Sequence, residues 1–149
     1  VELRALPRQL SAEEADVAQK KAAAEARRRQ HDSFLLTTYT KVSDIEQLRD
    51  ERIALIDSQM EIARGSIDSN QQRMKELEAR LRTFLPYSTA PNARRVPDQL
   101  AEQVVRTMKE RDQLLAGLKK REKEKTELRA QFNDDIARYR ELTTRPSDR

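Results

Sequence analysis

The sequence contains no cysteine, no tryptophan and only two glycines. Without cysteine there is no disulfide and no thiolate metal site, and such a chain is stable in reducing or oxidising surroundings alike. Two glycines cannot build a Gly-rich phosphate loop. Large apolar side chains are scarce too: Leu, Ile, Val and Phe together fill 31 of 149 positions, and aromatic residues make up 4%. That apolar share stands just above the roughly 20% at which disorder becomes the default reading, so a thick core is not expected. No apolar run approaches the ~18 residues of a membrane span, and the start has no signal-peptide pattern. The chain opens on Val1 and not on Met, which leads us to expect an upstream segment lost by processing or truncation.

What is abundant is helix-forming material. Ala, Glu, Lys, Leu and Arg occupy 78 positions, and a share near ~50% marks long helices or coiled coils when a 3.5 to 3.6 period accompanies it. The net charge of +4 is the small difference between 30 basic and 26 acidic side chains. The two signs are mostly interspersed, as in Glu25/Arg29, Glu76/Arg80, Glu78/Arg82, Glu102/Arg106 and Asp134/Arg138. Acids one turn before bases are expected to stabilise exposed helix faces by roughly 0.2 to 0.5 kcal/mol each.

Along the chain, residues 1–10 read as an extended lead-in. Ser11 and Glu14 fit a capping box that starts a first, charged helix at Ala12 with almost no apolar stripe. FLLTTYT (Phe34 to Thr40) carries no charge and three β-branched threonines, which lose rotamer freedom in a helix. It reads as a joint within a segment 11–43, followed by a second capping box, Ser43 with Glu46, that opens the next helix at Asp44. From there the heptad pattern is clear: Ile53, Ile56, Met60, Ala63, Ile67, Asn70, Met74, Leu77, Leu81 and Phe84 alternate in steps of three and four. Gly65 falls outside that stripe. The second helix is expected to end near Leu85, stopped by Pro86.

The segment 86–97 has three prolines in twelve residues and is the one strong punctuation of the chain. Pro97 suits the first turn of a third helix, expected to reach about Leu142 before a disordered tail over 144–149. Its stripe is read as Leu100 or Ala101, Val104, Met108, Leu115, Leu118, Leu128, Phe132, Ile136 and Tyr139, interrupted by KKREKEKTE (Lys119 to Glu127). Near-equal lengths and the bend predict an antiparallel pair over 44–143. Leu81 should then lie near Ala101, Ile56 near Leu128, and KKREKEKTE opposite Met60 and Ala63. The fold class expected is therefore all-α: a long antiparallel helical hairpin, a coiled coil, preceded by a charged helix. Helix 1 or a second subunit is expected to cover part of the seam.

Candidate sites are few. His31 is the single histidine and is expected to be a solvated side chain, with no metal or catalytic role. Adjacent carboxylates at Glu13-Glu14 and Asp134-Asp135 point to different helix faces and do not share a proton. No catalytic triad is suggested by anything local. Hence no catalytic residue, metal, cofactor or small-molecule substrate is expected. Asn70 is a polar residue in an apolar seam, a device that fixes register or oligomeric state, with a partner expected near Arg111 or Gln113. Arg27-Arg28-Arg29 and Arg94-Arg95 are the best basic clusters for phosphates or an anionic membrane. The apolar members of the joint, Phe34, Leu35, Leu36 and Tyr39, with Ile45 and Arg49, are the expected partner-binding surface.

The block HDSFLLTTYTKVSDIEQLRDERIALID resembles the characteristic segment of a family of uncharacterised proteobacterial envelope proteins. Leu35, Leu36, Tyr39, Asp44, Ile45, Arg49 and Asp50 stand at the positions of its LL-x-x-Y-x-S-x-x-D-I-x-x-x-R-D motif, with Lys41 where serine is usual. NDDIARYREL (Asn133 to Leu142) is similar to its closing acidic-aromatic-Arg pattern. The likeness spans roughly Ser11 to Leu142. It implies a periplasmic location and a coiled coil that follows a signal peptide and a small β domain, neither of which is in this chain; VELRAL would be the tail of that domain.

The function expected is a non-enzymatic coiled-coil scaffold, spacer or partner-binding module of the bacterial cell envelope, engaging a protein partner or a second copy through an exposed apolar stripe. The alternatives are a nucleic-acid or anionic-membrane binder acting through the arginine clusters, and a holdase-like periplasmic chaperone.

Overall fold

The structure is a computed structural model and describes residues 11–144. The lead-in expected over 1–10 lies outside the described residues, as does the tail expected over 144–149 apart from Thr144, which is helical and ends the third helix. The architecture is all-α, with α1 at Ala12–Thr38, α2 at Val42–Leu81 and α3 at Asp98–Thr144. Contacts divide the chain into two compact units. One holds the residues up to Glu46 and those from Asn133 onward; the other is Gln47–Phe132. The helical pair expected over 44–143 thus contributes its last turns to the first unit.

In the first unit, Ser11 is the N-cap of α1. Its hydroxyl accepts from the Glu14 amide at 3.2 Å and Glu14 reaches back to the Ser11 amide, an arrangement worth about 1 kcal/mol. Through Gln30 the helix is exposed, save half-buried Ala26. Helix persists where a joint was expected, through Phe34, Leu35, Leu36, Thr37 and Thr38. Two things override the β-branched penalty. The Thr37 hydroxyl donates to the carbonyls of Ser33 and Phe34 at 2.8 and 3.2 Å, and Leu35 is fully buried, a burial worth roughly 1.5 to 3 kcal/mol. The joint shrinks to Tyr39, Thr40 and Lys41, with Tyr39 extended and its amide donating to the Leu35 carbonyl.

The second capping box does not form at Ser43 and Glu46, because α2 has already begun at Val42. Asp44 does the work instead. Its carboxylate accepts from the Thr40 amide at 3.1 Å and the Thr40 hydroxyl at 2.8 Å. These bonds, the hydroxyl's first, hold the Asp44 carboxyl below the usual carboxylate range, and a negative charge in the first turn also suits the helix dipole. Leu35, Tyr39, Ile45, Ile136 and Tyr139 form the core of this unit.

In the second unit, α2 and α3 run antiparallel. Asp57 pairs with Lys125 at 2.7 Å and Arg73 with Glu110 at 2.7 Å, so numbers fall along one helix as they rise along the other, in the register anticipated. The seam positions from Ile53 to Phe84, the last just past the end of α2, are all buried or half-buried: Ile56, Met60, Ile67, Asn70 and Leu77 are buried; Ile53, Ala63, Met74, Leu81 and Phe84 are half-buried. Helix α2 stops at Leu81, four residues short of expectation. Pro86 has no amide and its ring excludes the helical carbonyl four residues back. The chain tightens before it, with the Thr83 amide bonded to Arg80 and the Phe84 amide to Leu81, each three residues back.

On α3 the seam differs from the expected stripe at two places. Met108 and Leu115 are exposed. The positions that face α2 are Thr107 and Leu114, and the strict alternation continues through Leu100, Val104, Thr107, Arg111, Leu114, Leu118, Arg121, Lys125, Leu128 and Phe132, every one buried or half-buried. KKREKEKTE therefore does not interrupt the repeat. Its Arg121 and Lys125 lay their methylene stems in the seam and carry their charges out, Lys125 to Asp57 and Arg121 to Glu124 at 3.0 Å. Phe132 closes this end under the guanidinium of Arg52, 5.5 Å from its ring centre.

Candidate functional site

In the first unit, residues more than a hundred positions apart meet. Arg138 on α3 grips Asp32 on α1 with two parallel bonds, Nε to Oδ1 at 2.8 Å and Nη2 to Oδ2 at 2.7 Å, and its Nη1 donates to Glu141 at 2.8 Å. The expected pair Asp134/Arg138 is not made; the bidentate fit to Asp32 takes the guanidinium. Those bonds hold the Asp32 carboxyl below its ordinary range, with Arg138 the first cause, and hold Arg138 still more firmly protonated. His31 is exposed, as expected, and also meets Asp135 at 2.7 Å between Nε2 and Oδ1. The Tyr139 hydroxyl donates to the Tyr39 carbonyl at 3.3 Å.

These groups clamp the end of α1 to the end of α3. Each carboxylate is taken up by a cation or an imidazole, and the nearby Thr37 hydroxyl is spent on backbone carbonyls. Nothing in the arrangement activates a nucleophile. Among the described residues no group of three or more His, Asp or Glu stands close enough to hold a metal ion.

The residues expected to form a partner surface are divided. Leu35, Ile45 and Tyr39 are buried in the unit's own core. Arg49 has a half-buried side chain bonded to Asp50 at 3.0 Å. Phe34 and Leu36 remain about half exposed, with Phe34 stacked against His31 at 6.2 Å and edge-on to Tyr39 at 6.3 Å between ring centres.

In the second unit, the Asn70 side chain is fully buried and its Nδ2 donates to the Thr107 carbonyl at 3.0 Å, one turn before Arg111 and nearly two before Gln113, the partners expected. Its amide oxygen has no hydrogen-bond partner, and a buried unpaired acceptor costs about 1 to 3 kcal/mol. The charge pairs expected within helices at Glu25/Arg29, Glu76/Arg80, Glu78/Arg82 and Glu102/Arg106 are not formed; two pairs that were not anticipated, Asp16–Lys20 and Lys123–Glu127, are.

The same unit carries large apolar side chains that the seam does not use. On α2 these are Leu55 and Ile62, 61% and 72% exposed and one heptad apart. On α3 they are Val105, Met108 and Leu115, which with Ala101 follow helical spacing along a second face. A shallow hollow of about 440 Å³ lies against Ala101, Val105 and Lys109. A cleft of about 680 Å³ opens beside the bend, between Arg80, Thr83, Phe84, Pro97, Leu100 and Gln103. Periodicity could have found the second α3 face, had Met108 and Leu115 not been assigned to the seam. No helix among the described residues is long and apolar enough to cross a membrane.

Compared with models of known families, with curated proteins and with solved structures, the chain has no significant match.

Proposed function

We propose that the chain is a non-enzymatic coiled-coil module, a scaffold or spacer that binds a protein partner or a second copy through the apolar faces the seam leaves open. The observation that carries this is the exposure of Leu55 and Ile62 on α2 together with Val105, Met108 and Leu115 on α3. These are side chains at helical spacing, the form in which one helix is recognised by another. The thin two-helix seam gives the reading further support, because it leaves half of each helix free for such contacts. Assignment to the bacterial envelope rests on the likeness of the segment around Leu35, Leu36, Tyr39, Asp44, Ile45, Arg49 and Asp50 to the envelope family.

The test replaces Leu55 and Ile62 by Ser in one variant and Val105, Met108 and Leu115 by Ser in another. Their mass in solution by light scattering, and their recovery of partners from an envelope extract, are compared with those of the unaltered chain. One variant should lose assembly or partner recovery while keeping its helical circular dichroism. If both assemble and recover partners as before, the proposal fails.

A further inference from the structure

The excess charge of the chain has an address. Between Ala79 and Pro97 there are four arginines, Arg80, Arg82, Arg94 and Arg95, and no aspartate or glutamate. Removing these four from the thirty basic residues leaves twenty-six, equal to the number of acids, so the whole net charge of +4 resides in this stretch. Along the helices some basic side chains, among them Lys20, Arg73, Arg121, Lys125 and Arg138, are paired with carboxylates, and the unpaired ones are interspersed with acids. Among the described residues, none of the four arginines of the bend has such a partner.

Apolar groups share the bend. The Leu85 amide donates to the Arg94 carbonyl at 2.7 Å, and Leu85 forms an isolated bridge with Arg95, which sets an apolar residue directly beside two cations. The Ser88 amide closes on the Phe84 carbonyl at 2.8 Å around Pro86 and Tyr87. Phe84 and Val96 are half-buried, whereas Leu85 is 43% and Tyr87 61% exposed. The bend thus offers a knob in which Leu85, Pro86 and Tyr87 stand in water among unpaired arginines.

We propose that this bend is a docking site for an anionic membrane surface, with the arginines on lipid phosphates and Leu85 and Tyr87 entering the headgroup layer. A nucleic acid would satisfy the arginines and leave Leu85 and Pro86 without a use. A bilayer supplies negative charge and an apolar interior in one approach, and tyrosine suits the boundary between them. Each basic residue near such a surface contributes roughly fivefold to partitioning at moderate salt. The assignment needs only the unit that contains the bend and stands apart from the scaffold reading.

The test sediments the full chain with vesicles of phosphatidylcholine alone or mixed with phosphatidylglycerol, at low and high salt. Binding is expected to the mixed vesicles only, and to fall as salt rises. R94Q/R95Q should weaken it by roughly 25-fold, while K119Q/K120Q, which removes the same charge from α3, should change it little. Y87S should weaken binding to mixed vesicles without changing its salt dependence, and the emission of Y87W should shift to the blue on those vesicles. Helical circular dichroism should be the same for every variant. Equal binding to neutral vesicles, no binding at low salt, equal losses from the two double variants or an unshifted Y87W spectrum would each overturn the assignment. Displacement from mixed vesicles by an oligonucleotide that binds the bend more tightly would move the site to nucleic acid.

Discussion

The junction unit and the hairpin unit use the same few apolar residue types in opposite ways. In the junction, α1, the turn at Tyr39 and the start of α2 meet the end of α3, and two side chains, Leu35 and Ile45, lose all contact with water. In the hairpin unit the buried apolar side chains Ile56, Met60, Ile67, Leu77, Leu100 and Phe132 each keep a sliver of exposure, and half-buried Arg121 and Lys125 share the seam. Three converging elements enclose apolar side chains completely, whereas along the two-helix seam the one fully enclosed side chain among the described residues is the polar Asn70. A chain this poor in large apolar residues thus keeps the complete burial of apolar side chains to the junction unit and spreads the rest thinly.

The largest expected effect tests that contrast. Leu35→Ala and Ile45→Ala should each cost about 3 to 5 kcal/mol in chemical denaturation, whereas Ile56→Ala and Ile67→Ala should fall nearer 2, because a partly wet seam leaves a smaller cavity. Equal losses at the two places would remove the distinction.

The polar clamp comes next. Replacing Asp32 by Asn should lower the melting temperature at neutral pH and should do little at strongly acid pH. The sign follows from the depressed carboxyl of Asp32. Its contribution is present above the unfolded value near 3.8 and is lost as pH falls through the lower folded value. Asp44, depressed by Thr40, adds to the same acid loss. A D32N variant destabilised equally at all pH values would show that the carboxylate's charge is not what matters.

A gain is expected in the other unit. Asn70→Leu removes a buried amide oxygen without a partner and adds apolar contact, so stability should rise by about 1 to 2 kcal/mol. The seam should at the same time specify its register less strictly, which would show as a mixture of associated species on gel filtration. A destabilised N70L would mean that the bond to Thr107 outweighs the unpaired oxygen. The smallest change is Gly65→Ala: a methyl group there would meet nothing within 4 Å, and the helix should gain about 0.5 to 1 kcal/mol in urea unfolding.

The sequence disclosed the hairpin because nine of the ten seam positions from Ile53 to Phe84 are apolar, and it disclosed the bend because three prolines leave no other reading. The α3 seam was harder to see, since Thr107, Arg111, Arg121 and Lys125 occupy it while Met108 and Leu115 advertise the neighbouring face. Threonines suggested a break at FLLTTYT, yet Thr37 bonds back along its own helix and the burial of Leu35 pulls the segment into register. The clamp was illegible because its partners lie 104 and 106 positions apart, and no local spacing brings Asp32 to Arg138. The basic knob was open to view as an acid-free stretch, hidden by a net charge that looks modest when spread over the whole chain.

The antiparallel pairing of α2 with α3 can be tested most directly by crosslinking, since the chain has no cysteine of its own. Cysteines at Arg73 and Glu110, treated in dilute solution with a short bifunctional maleimide, should join within a single molecule, and cysteines at Arg73 and Lys125 should not. Crosslinking of the second pair as readily as the first, or products formed only between molecules, would contradict the pairing and the two faces derived from it.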